Sequence, residues 1–548
     1  LPIMRKIITL TLLITCYSIS YGQTSSWEAV YNLIQSRCSS CHVPGHISGL
    51  NLAQPAGALY TELYNTIPTN LTAAGKNYKL VKPGNPYKSF LFSKINNGLA
   101  LDVFLETGEG IPCPQDAAPL DNKQIELVRQ WILFGAPETG FVADETIIAD
   151  FYDNDGIQSV PSPPAPPESG TGFQIHFGPF FLWPGEEYEY WDKYDPDLGV
   201  TTEIIEFEKV MNNYSHHFLM YKFNNPDIAE TVSYGLHDGP DFSGVDVVFA
   251  QQFSDSLNLP AHTAFSWDAN TLLDLNSHYI NYSPDKTMAC EVYINVYTQT
   301  AGTAIQLMQT IRKSNPDLYI PNDSVEHTFV DTAYGNGHGE DELFVWAMTS
   351  HTHKYGSDFD IYKRNEDGSL GEQIFDASCE ATLGAPGCLD EIYDYQHPPT
   401  RRWDNMLPVK WKNGFIYKTS FINNGPEPVS FGMTTEDEMA VFMYFFVDDT
   451  TGLNLNTAIT TTNNNALELL LYPNPVNNNL FIKTNIVDYY EPLMITDLNG
   501  FTQTLLYGQY QIFAPGILCV DISKFAAGIY TVQLIQDKKL YAEKMVKF

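Results

Sequence analysis

Apolar residues recur along the chain with two different periods, and the change of period marks a change of fold. Between residues 24 and 140 they follow helical spacing, as in "SSWEAVYNLIQSRCSSCH" and "LDNKQIELVRQWILFGAP". The second of these helices is predicted to begin at the capping residue Asp121 and to end at Gly135. From Phe173 to Asp449, short alternating runs such as "TEIIEFEKV", "CEVYINVYTQ" and "FIYKTSFINN" predict the strands of two β-sandwiches.

The N-terminus has the pattern of a secretory signal peptide. Arg5 and Lys6 precede the apolar run "IITLTLLITCYSI", and small and polar residues follow it. Lipidation of Cys16 is less favoured, because Thr15 is a poor residue before a lipidated cysteine. Since no later apolar run approaches the length of a spanning helix, we expect a mature protein without a membrane span, in an oxidising compartment. The formal net charge of −35 argues against nucleic acid as a partner.

Five cysteines lie outside both the signal peptide and the "RCSSCH" motif. They differ in whether the sequence offers a candidate disulfide partner. Cys379 and Cys388 flank the Gly/Pro loop "CEATLGAPGC" and are candidates for a small disulfide. Such a loop closure is worth about 2–3 kcal/mol in the chain-entropy account. Cys113, Cys290 and Cys519 have no obvious partners.

The stretch "RCSSCH" has the spacing of a c-type haem attachment motif. In this motif the thiols of Cys38 and Cys41 bond to the porphyrin and His42 ligates the iron. A zinc half-site and a thioredoxin-like redox pair are the alternatives, but no second CxxC or Cys/His pair lies nearby. The segment resembles a small cytochrome c domain, in which "QWILFGAP" corresponds to the final helix.

The segment departs from the cytochrome c pattern at the second axial ligand. Where an axial Met is usual the sequence reads "GEGIPCP", and residues 24–140 contain no Met. His46 lies one turn from His42 and is expected at the surface, while Cys113 is expected to be a structural or free thiol. A five-coordinate haem would have a lower potential than a His/Met haem.

Histidines in the β-rich region form two sets that suit metal binding. A single pair, such as His351 and His353 on one face of a predicted strand, is compatible with a solvated or packed face. The presence of two such sets in one region favours metal binding over a packed or solvated face. The ligand types then favour copper, because a thioether favours Cu(I) and imidazole suits both copper states. The sets are His216, His217 and His278, and His351, His353 and Met439.

The order HH, HY, HTH and DEM across two β-sandwiches resembles the copper type II, ascorbate-dependent monooxygenases. This family contains peptidylglycine α-hydroxylating and dopamine β-monooxygenases, and the resemblance covers residues 173–449, about half of the chain. The resemblance implies two copper ions with different roles. The electron-storage copper would be bound by His216, His217 and His278, and the oxygen-binding, catalytic copper by His351, His353 and Met439.

The departures from this family are specific. A family disulfide is missing at both of its positions, which are Ala440 and Ser420 here. The glycine-peptide hydroxylase has an Arg and a Tyr for substrate binding where this chain has Thr349 and Met443. Without a guanidinium for a bidentate contact, a peptide C-terminus is disfavoured as substrate.

The other polar residues have plainer interpretations. His262 is a less favoured third ligand in place of His278, and "DNDG" (153–156) is expected to be a solvated turn rather than a calcium loop. The remaining histidines are expected to be hydrogen-bonded or exposed: His176, His237, His327, His338 and His397.

The C-terminal segment resembles the sorting domain of type IX secretion. Its elements are "LYPNPVNNNLFIKT", "ITDLNG" and "DISKFAAGIYTVQLIQDKKLYAEKMVKF", and an adhesion-like β-domain is the alternative. The resemblance implies the type IX secretion machinery as a partner. It also implies export through the periplasm of a Gram-negative bacterium to the cell surface or the medium.

The expected fold class is multidomain: a small all-α cytochrome c-like domain, two all-β jelly-roll sandwiches and a small C-terminal β-sandwich. "PSPPAPPESGTG" and "TTTNNNALE" predict linkers. The expected boundaries are 1–22 for the signal peptide, 24–140 for the haem domain, 141–172 for the first linker, 173–310 and 311–450 for the sandwiches, 451–465 for the second linker and 466–548 for the sorting domain.

These features predict a secreted copper monooxygenase that hydroxylates an activated C–H bond of a small molecule or peptide with O₂. Its cofactors would be two copper ions and covalent haem c, with electrons supplied through the haem from ascorbate or a redox partner. The alternatives are a non-enzymatic extracellular copper/haem electron-transfer or copper-binding protein, and a surface binding module with structural metals.

Met439→Ile is expected to abolish oxygenation and to leave the copper of His216, His217 and His278 in place. Isoleucine fills a similar volume but lacks the thioether that holds Cu(I). Copper content and substrate-dependent O₂ uptake measure the two effects, and unchanged activity would overturn the assignment of the oxygen site.

Overall fold

The computed structural model describes most of the chain after the predicted signal peptide. The described residues are 25–115, 117–160, 162–211, 215–237, 239, 244–251, 255–334, 342–377, 393, 395, 400–432, 436–453, 470–483, 493–497, 502–505, 510–514, 517–536 and 539–547. The predicted signal peptide and the candidate disulfide of Cys379 and Cys388 lie outside them, as do His338 and His397.

The chain divides into two compact units, and each is described by itself. Unit 1 comprises Leu1–Thr201, Glu206–Leu257 and Asp268–Thr298, and unit 2 comprises Thr202–Ile205, Asn258–Trp267 and Gln299–Phe548. Strands predominate over helices, so the molecule is a multidomain, β-rich protein. Among the described residues, no helix is both long enough and apolar enough to span a membrane.

Unit 1 begins with a helical segment whose helix ends follow the sequence signals. Ser25 accepts a hydrogen bond from the Glu28 amide at the first helix, and Asp121 and Gln124 form a reciprocal capping box at the fifth. The predicted helix end at Gly135 is confirmed as well. The helices are α1 Ser26–Arg37, α2 Ala56–Leu63, α3 Leu71–Gly75, α4 Phe90–Ile95, α5 Asn122–Leu133 and α6 Glu145–Asp153, with a 3₁₀ turn at Pro86–Lys88.

Strands begin within the segment expected to be the first linker, which also contains α6. Up to the end of the first predicted sandwich the elements are β1 Ile157–Gln158, β2 Gly172–Leu182, β3 Glu187–Tyr194, β4 Thr202–Val210, β5 Ser215–Phe223, α7 Pro226–Thr231, β6 Gly235–Leu236, β7 Val245–Gln251, β8 Asp255–Asn258, β9 Thr263–Trp267, β10 Leu273–Ile280, β11 Met288–Thr300 and β12 Gln306–Leu307. In unit 1 the order β6-β3-β10-β5-β7 forms one sheet, and β11 pairs with β1 and β2 in another.

The helical segment of unit 1 packs against the strands through a buried charged contact. His176 on β2 has its Nδ1 atom 2.8 Å from Asp102 Oδ2 and its Nε2 atom 2.8 Å from Glu291 Oε2. The Tyr87 ring stacks on the same imidazole at 4.0 Å, and Tyr293 stacks on it at 3.9 Å. Although burial acts against it, the two carboxylates raise the pKa of His176, so the ring carries a proton on both nitrogens.

A glycine allows a second close approach between the two parts of unit 1. Gly135, just after α5, has φ +90°, and a Cβ there would lie 2.6 Å from the Tyr234 carbonyl oxygen. A side chain would therefore clash with backbone in a conformation that L residues rarely adopt.

Unit 2 contains the second predicted sandwich and the sorting segment. The first part has β13 Gln309–Ser314, β14 Tyr319–Ile320, β15 Glu326–Ala333, β16 Glu342–His351, β17 Gly356–Arg364, β18 Leu370–Asp376, β19 Thr400–Lys410, β20 Phe415–Ile422, β21 Val429–Ser430 and β22 Val441–Val447. The sheets have the orders β13-β22-β16-β19 and β15-β20-β17-β18, and they share a core that includes Phe359, Phe442 and Tyr444.

The C-terminal segment forms two four-stranded sheets around its own apolar core. The sheet orders are β23-β24-β28-β27 and β26-β25-β29-β30. The strands are β23 Leu470–Tyr472, β24 Asn479–Lys483, β25 Leu493–Asp497, β26 Thr502–Leu505, β27 Gln511–Ala514, β28 Ile517–Asp521, β29 Gly528–Gln536 and β30 Lys539–Lys547.

His176→Gln is expected to destabilise the protein by roughly 3–5 kcal/mol, because it leaves two buried carboxylates without their shared cation. The contribution of His176 is complete below the unfolded-state pKa and is lost as pH rises through the raised folded-state pKa. Denaturant unfolding of the full chain at a series of pH values measures both effects.

The matched control is His327→Gln, since His327 pairs with Asp323 at the surface. This variant is expected to change stability little, because exposed ion pairs are screened by water. Equal unfolding midpoints for the two variants would contradict a special role for His176.

Candidate functional site

The motif Cys38–His42 forms a compact turn at the end of α1. The amide of Cys38 donates to the Ile34 carbonyl at 2.8 Å, and the amides of Cys41 and His42 donate to the Cys38 carbonyl at 3.3 and 3.2 Å. Cys38 packs against the helical core, while Cys41 is exposed. Both thiols are free, as covalent attachment of haem requires of the unreacted motif.

The Cys38 thiol differs from the thiols of a redox pair. Burial raises the pKa of Cys38 to about 11, whereas a redox-active CxxC pair has a lowered thiol pKa. Across residues 25–115, no three ligand atoms of His, Cys, Asp and Glu lie within 4.8 Å of one another.

His42 and His46 lie side by side rather than far apart. Their ring centroids are 4.4 Å apart, and Ser48 Oγ lies 3.3 Å from Nδ1 of His42 and 2.7 Å from Nδ1 of His46. Burial lowers the pKa of His42, which favours the neutral, metal-binding imidazole. His46 was expected at the surface, and it is instead half-buried against the candidate axial ligand.

The loops beside the motif expose large apolar side chains. The loops are joined by hydrogen bonds from Thr69 Oγ1 to the Ser48 carbonyl (2.6 Å) and from Asn70 Nδ2 to the Gly108 carbonyl (2.9 Å). An apolar rim of this kind suits a planar, mostly apolar ligand such as a porphyrin. The exposed residues are Val43, Ile47, Leu71, Phe104 and Ile111.

In unit 1 the structure brings His217 and His278 together on neighbouring strands. They are register partners on β5 and β10, and their ring centroids are 5.2 Å apart. Nε2 of His217 lies 2.9 Å from Asn276 Oδ1, and the Asn276 amide nitrogen donates to Glu189 at 2.9 Å. Nε2 of His278 lies 2.7 Å from Glu187 Oε1.

These contacts select one tautomer for both rings. An amide or carboxylate oxygen accepts from Nε2–H, so Nδ1 carries the lone pair that a metal needs. Burial lowers the pKa of His217, which keeps its imidazole neutral. The pair therefore fits a metal site with Nδ1 ligation.

The third predicted ligand of this set is placed by its backbone alone. His216 precedes His217 on β5, and its side chain lies outside the described part of the chain. The alternative ligand His262 lies exposed at the turn before β9, in unit 2.

In unit 2 the two histidines of the second predicted set lie where β16 ends. The sequence placed both histidines in one strand, whereas β16 ends at His351 and His353 follows in a turn. Their rings are nevertheless 5.2 Å apart and perpendicular. Nδ1 of His353 lies 3.1 Å from the Asp437 carbonyl oxygen, which can only accept, so Nε2 carries the lone pair.

A buried carboxylate fastens the Met439 loop to the histidine turn. Glu438 accepts hydrogen bonds from the amides of His353 (2.9 Å), Tyr355 (2.6 Å) and Met439 (3.2 Å), and its side chain is fully buried. These bonds take the amides of the turn out of the strand ladder, which explains why β16 ends early. Burial raises the pKa of Glu438 to about 7, although the amide hydrogen bonds act in the opposite direction.

Positions implicated in substrate binding by the family resemblance also meet. Thr349 on β16 is the register partner of Met443 on β22, and both side chains are buried. The pair offers a hydroxyl and a thioether and no cation. Ala440 packs beside Phe421, the neighbour of Ser420, so the missing disulfide positions lie in one region of unit 2.

The remaining predictions for polar residues are supported in the described chain. His237 lies 2.9 Å from Asp274, and His327 lies 3.0 Å from Asp323. The "DNDG" residues begin with Asp153, the last residue of α6, and continue into the turn after it; Asp153 pairs with Lys123.

The sequence patterns did not identify the residues that orient the candidate metal ligands. Glu438 adjoins Met439 in "DEM", so its position was a local signal that went unused. Glu187 and Glu189 lie about ninety residues before His278 in sequence, and only the pairing of β3 with β10 brings them near.

Comparisons with known proteins inform the C-terminal segment. Residues 470–547 match the family described as the secretion system C-terminal sorting domain, which confirms the predicted sorting domain. A domain of this type marks a protein for export to the cell surface or the medium. No curated protein matches the chain.

Two solved structures share 10% identity with the chain. A β-1,2-glucanase from Parabacteroides distasonis matches over 44% of this chain and 37% of its own, with a TM-score of 0.13. The dimeric latent PorU from Porphyromonas gingivalis matches over 61% of this chain and 30% of its own, with a TM-score of 0.12. The matches thus span 37% and 30% of these two proteins, and likenesses this weak carry no argument about fold or function.

Glu438→Gln is expected to weaken copper binding by His351, His353 and Met439 by roughly 10–100-fold, the usual cost of removing a residue that orients metal ligands. A glutamine amide offers one acceptor where two carboxylate oxygens now hold three amides. Competition with a calibrated copper chelator measures the affinity.

Glu436→Gln is the matched control, because Glu436 lies on the same loop but is exposed and pairs with Lys354. Copper affinity is expected to be unchanged in this variant. Equal weakening in both variants would show that Glu438 has no special role in orienting the ligands.

Proposed function

We propose that this protein is an exported, copper-dependent monooxygenase that hydroxylates an activated C–H bond with O₂ and receives electrons through a fused c-type haem. The observation that supports this proposal most directly is the selection of one tautomer at three imidazoles, those of His217, His278 and His353. One pair is set for Nδ1 ligation by Asn276 and Glu187. In the other, His353 is set for Nε2 ligation and lies beside the thioether loop.

Two differently built donor sets support two roles. A set of imidazoles alone suits storage and transfer of an electron, because imidazole binds both copper states. A set that includes the soft thioether of Met439 favours Cu(I), the state that reduces O₂. Copper, when bound, supplies the one-electron chemistry and the activation of O₂.

The residues of the chain would hold and orient these sets. Glu438 accepts from the backbone amides of both His353 and Met439, so it ties the histidine turn to the backbone of the methionine loop. Glu187 holds the His278 ring through a 2.7 Å contact, and the buried, neutral His217 keeps a lone pair for the metal.

The surroundings of the second set bear on the substrate class. Thr349 and Met443, the register partners at the positions implicated in substrate binding, contribute no cation. A substrate region built from them would favour an uncharged small molecule over a carboxylate-bearing peptide end. This supports hydroxylation of an apolar or weakly polar C–H substrate.

The packing of unit 1 supports haem as the electron source. The segment with Cys38, Cys41 and His42 is joined to the β-strands by the buried contact of His176 with Asp102 and Glu291. A fixed arrangement of this kind favours transfer within one molecule over diffusional exchange between tethered domains. The sorting domain at 470–547 supports action outside the cell.

The proposal is tested by reducing the haem without oxygen and adding Cu(II) to the full mature protein. We expect the absorbance of reduced haem to be lost rapidly, because Cu(II) accepts the electron. His278→Ala should slow this loss, and oxygen admitted with uncharged C–H substrates should label the product from ¹⁸O₂.

Two outcomes would contradict the proposal. A haem that stays reduced in the copper-loaded protein would remove the haem as the electron source. Retained copper with haem oxidation but no substrate-dependent O₂ uptake, together with indifference to Met439→Ile, would favour a non-enzymatic redox or copper-binding protein.

A further inference from the structure

We propose that a series of aromatic side chains in unit 1 is the route by which electrons pass from the haem segment to the His217–His278 pair. The series is Trp131, Phe134, Phe180, Tyr190 and Tyr279. The inference rests on the proposed function, because it requires a haem at one end and copper at the other.

The series begins in the core of the helical segment. Trp131 is fully buried in α5, within the same apolar cluster that Cys38 contacts, and it stacks on Trp27 at 5.2 Å. Phe134, the residue that caps the C-terminal end of α5, lies three positions after Trp131 and is half-buried. Its ring meets Phe180 on β2 edge to face, with the centroids 6.2 Å apart.

The series then crosses the strands to the histidine pair. Phe180 stacks on Tyr190 of β3 at 3.9 Å with an interplanar angle of 12°. Tyr190 lies 6.4 Å from Tyr279 of β10, measured between ring centroids. Tyr279 is joined to His278 by a peptide bond, so the series ends at a candidate copper ligand.

Each member of the sandwich part of the series is shielded from water. Phe180 and Tyr279 are fully buried, and Tyr190 is 5% exposed. Close packing leaves few gaps, and an electron tunnels further through packed and bonded atoms than across empty space.

The transfer is a one-electron exchange that makes and breaks no bond. With haem held at Cys38, Cys41 and His42 and copper held by His217 and His278, one electron would leave Fe(II) and be accepted by Cu(II). The aromatic residues provide the path and are themselves neither oxidised nor reduced.

A neighbouring aromatic contact provides a matched control. Phe181, next to Phe180 on β2, meets Phe151 of α6 at 5.0 Å. This contact also joins a helix to a strand, but it belongs to a separate cluster with Ile147, Ile148 and Ala289. Phe181 is therefore a residue of the same type as Phe180 and makes a similar helix–strand contact. It is not a member of the series.

The experiment compares Phe180→Leu with Phe181→Leu in the full mature protein containing haem and copper. Haem absorbance after rapid photoreduction gives the rate of electron transfer to Cu(II). We expect Phe180→Leu to slow transfer by roughly tenfold, because the smaller side chain leaves a gap in packed atoms. Phe181→Leu should retain the wild-type rate, and equal rates in the two variants would overturn the route.

Two variants of Tyr190 distinguish loss of the aromatic ring from a general disturbance of the fold. Tyr190→Phe keeps the stack on Phe180 and should retain the rate, whereas Tyr190→Leu should slow it. Haem and copper contents, measured on every variant, confirm that both ends of the route are intact. A wild-type protein that transfers no electron would refute the proposed function, whereas rapid transfer that survives both leucine variants would refute the route alone.

Discussion

An imidazole can bind a metal only through a nitrogen that carries a lone pair, and in a protein interior the neighbouring acceptor decides which nitrogen that is. The candidate site depends on this constraint. Asn276 and Glu187 accept from Nε2 of their histidines in unit 1, while the Asp437 carbonyl accepts from Nδ1 of His353 in unit 2. The lone pair therefore lies on Nδ1 in His217 and His278 and on Nε2 in His353. This difference supports the proposal of two inequivalent metal sites.

Buried charge has a second part in the molecule, where it joins elements that are distant in sequence. His176 links Asp102 of the helical segment to Glu291 of β11, and Glu438 links the Met439 loop to the turn after β16. A buried carboxylate is costly unless its oxygens are satisfied, so each of these arrangements holds its partners in place. The same rigidity would keep a haem and a copper ligand set in unit 1 at a constant separation.

Local patterns in the sequence predicted several helices and strands and the sorting domain well. The capping residue Asp121 and the run "TEIIEFEKV" gave a helix start and a strand that the structure reproduces. The sorting domain was recognised from its own motifs, and its family match confirms it. These features succeed because helix caps, strand alternation and short motifs are set by neighbouring residues.

The orienting residues could not be predicted in the same way. Glu187 acts on His278 only because β3 pairs with β10, and strand pairing is a long-range property. The strand expected to contain both His351 and His353 ends at His351, because Glu438 captures the amides that would extend it. Periodicity describes which face a residue occupies but not which distant carboxylate competes for its backbone.

The most direct test of two copper sites and a haem in one chain is the metal and haem content of the purified mature protein, with EPR spectra recorded through a redox cycle. The account predicts one covalent haem and two coppers per chain, with Cu(II) signals of type II rather than blue copper. A covalent haem with no copper retained after reconstitution would contradict it, and the histidine pairs would then be part of the scaffold of a secreted cytochrome.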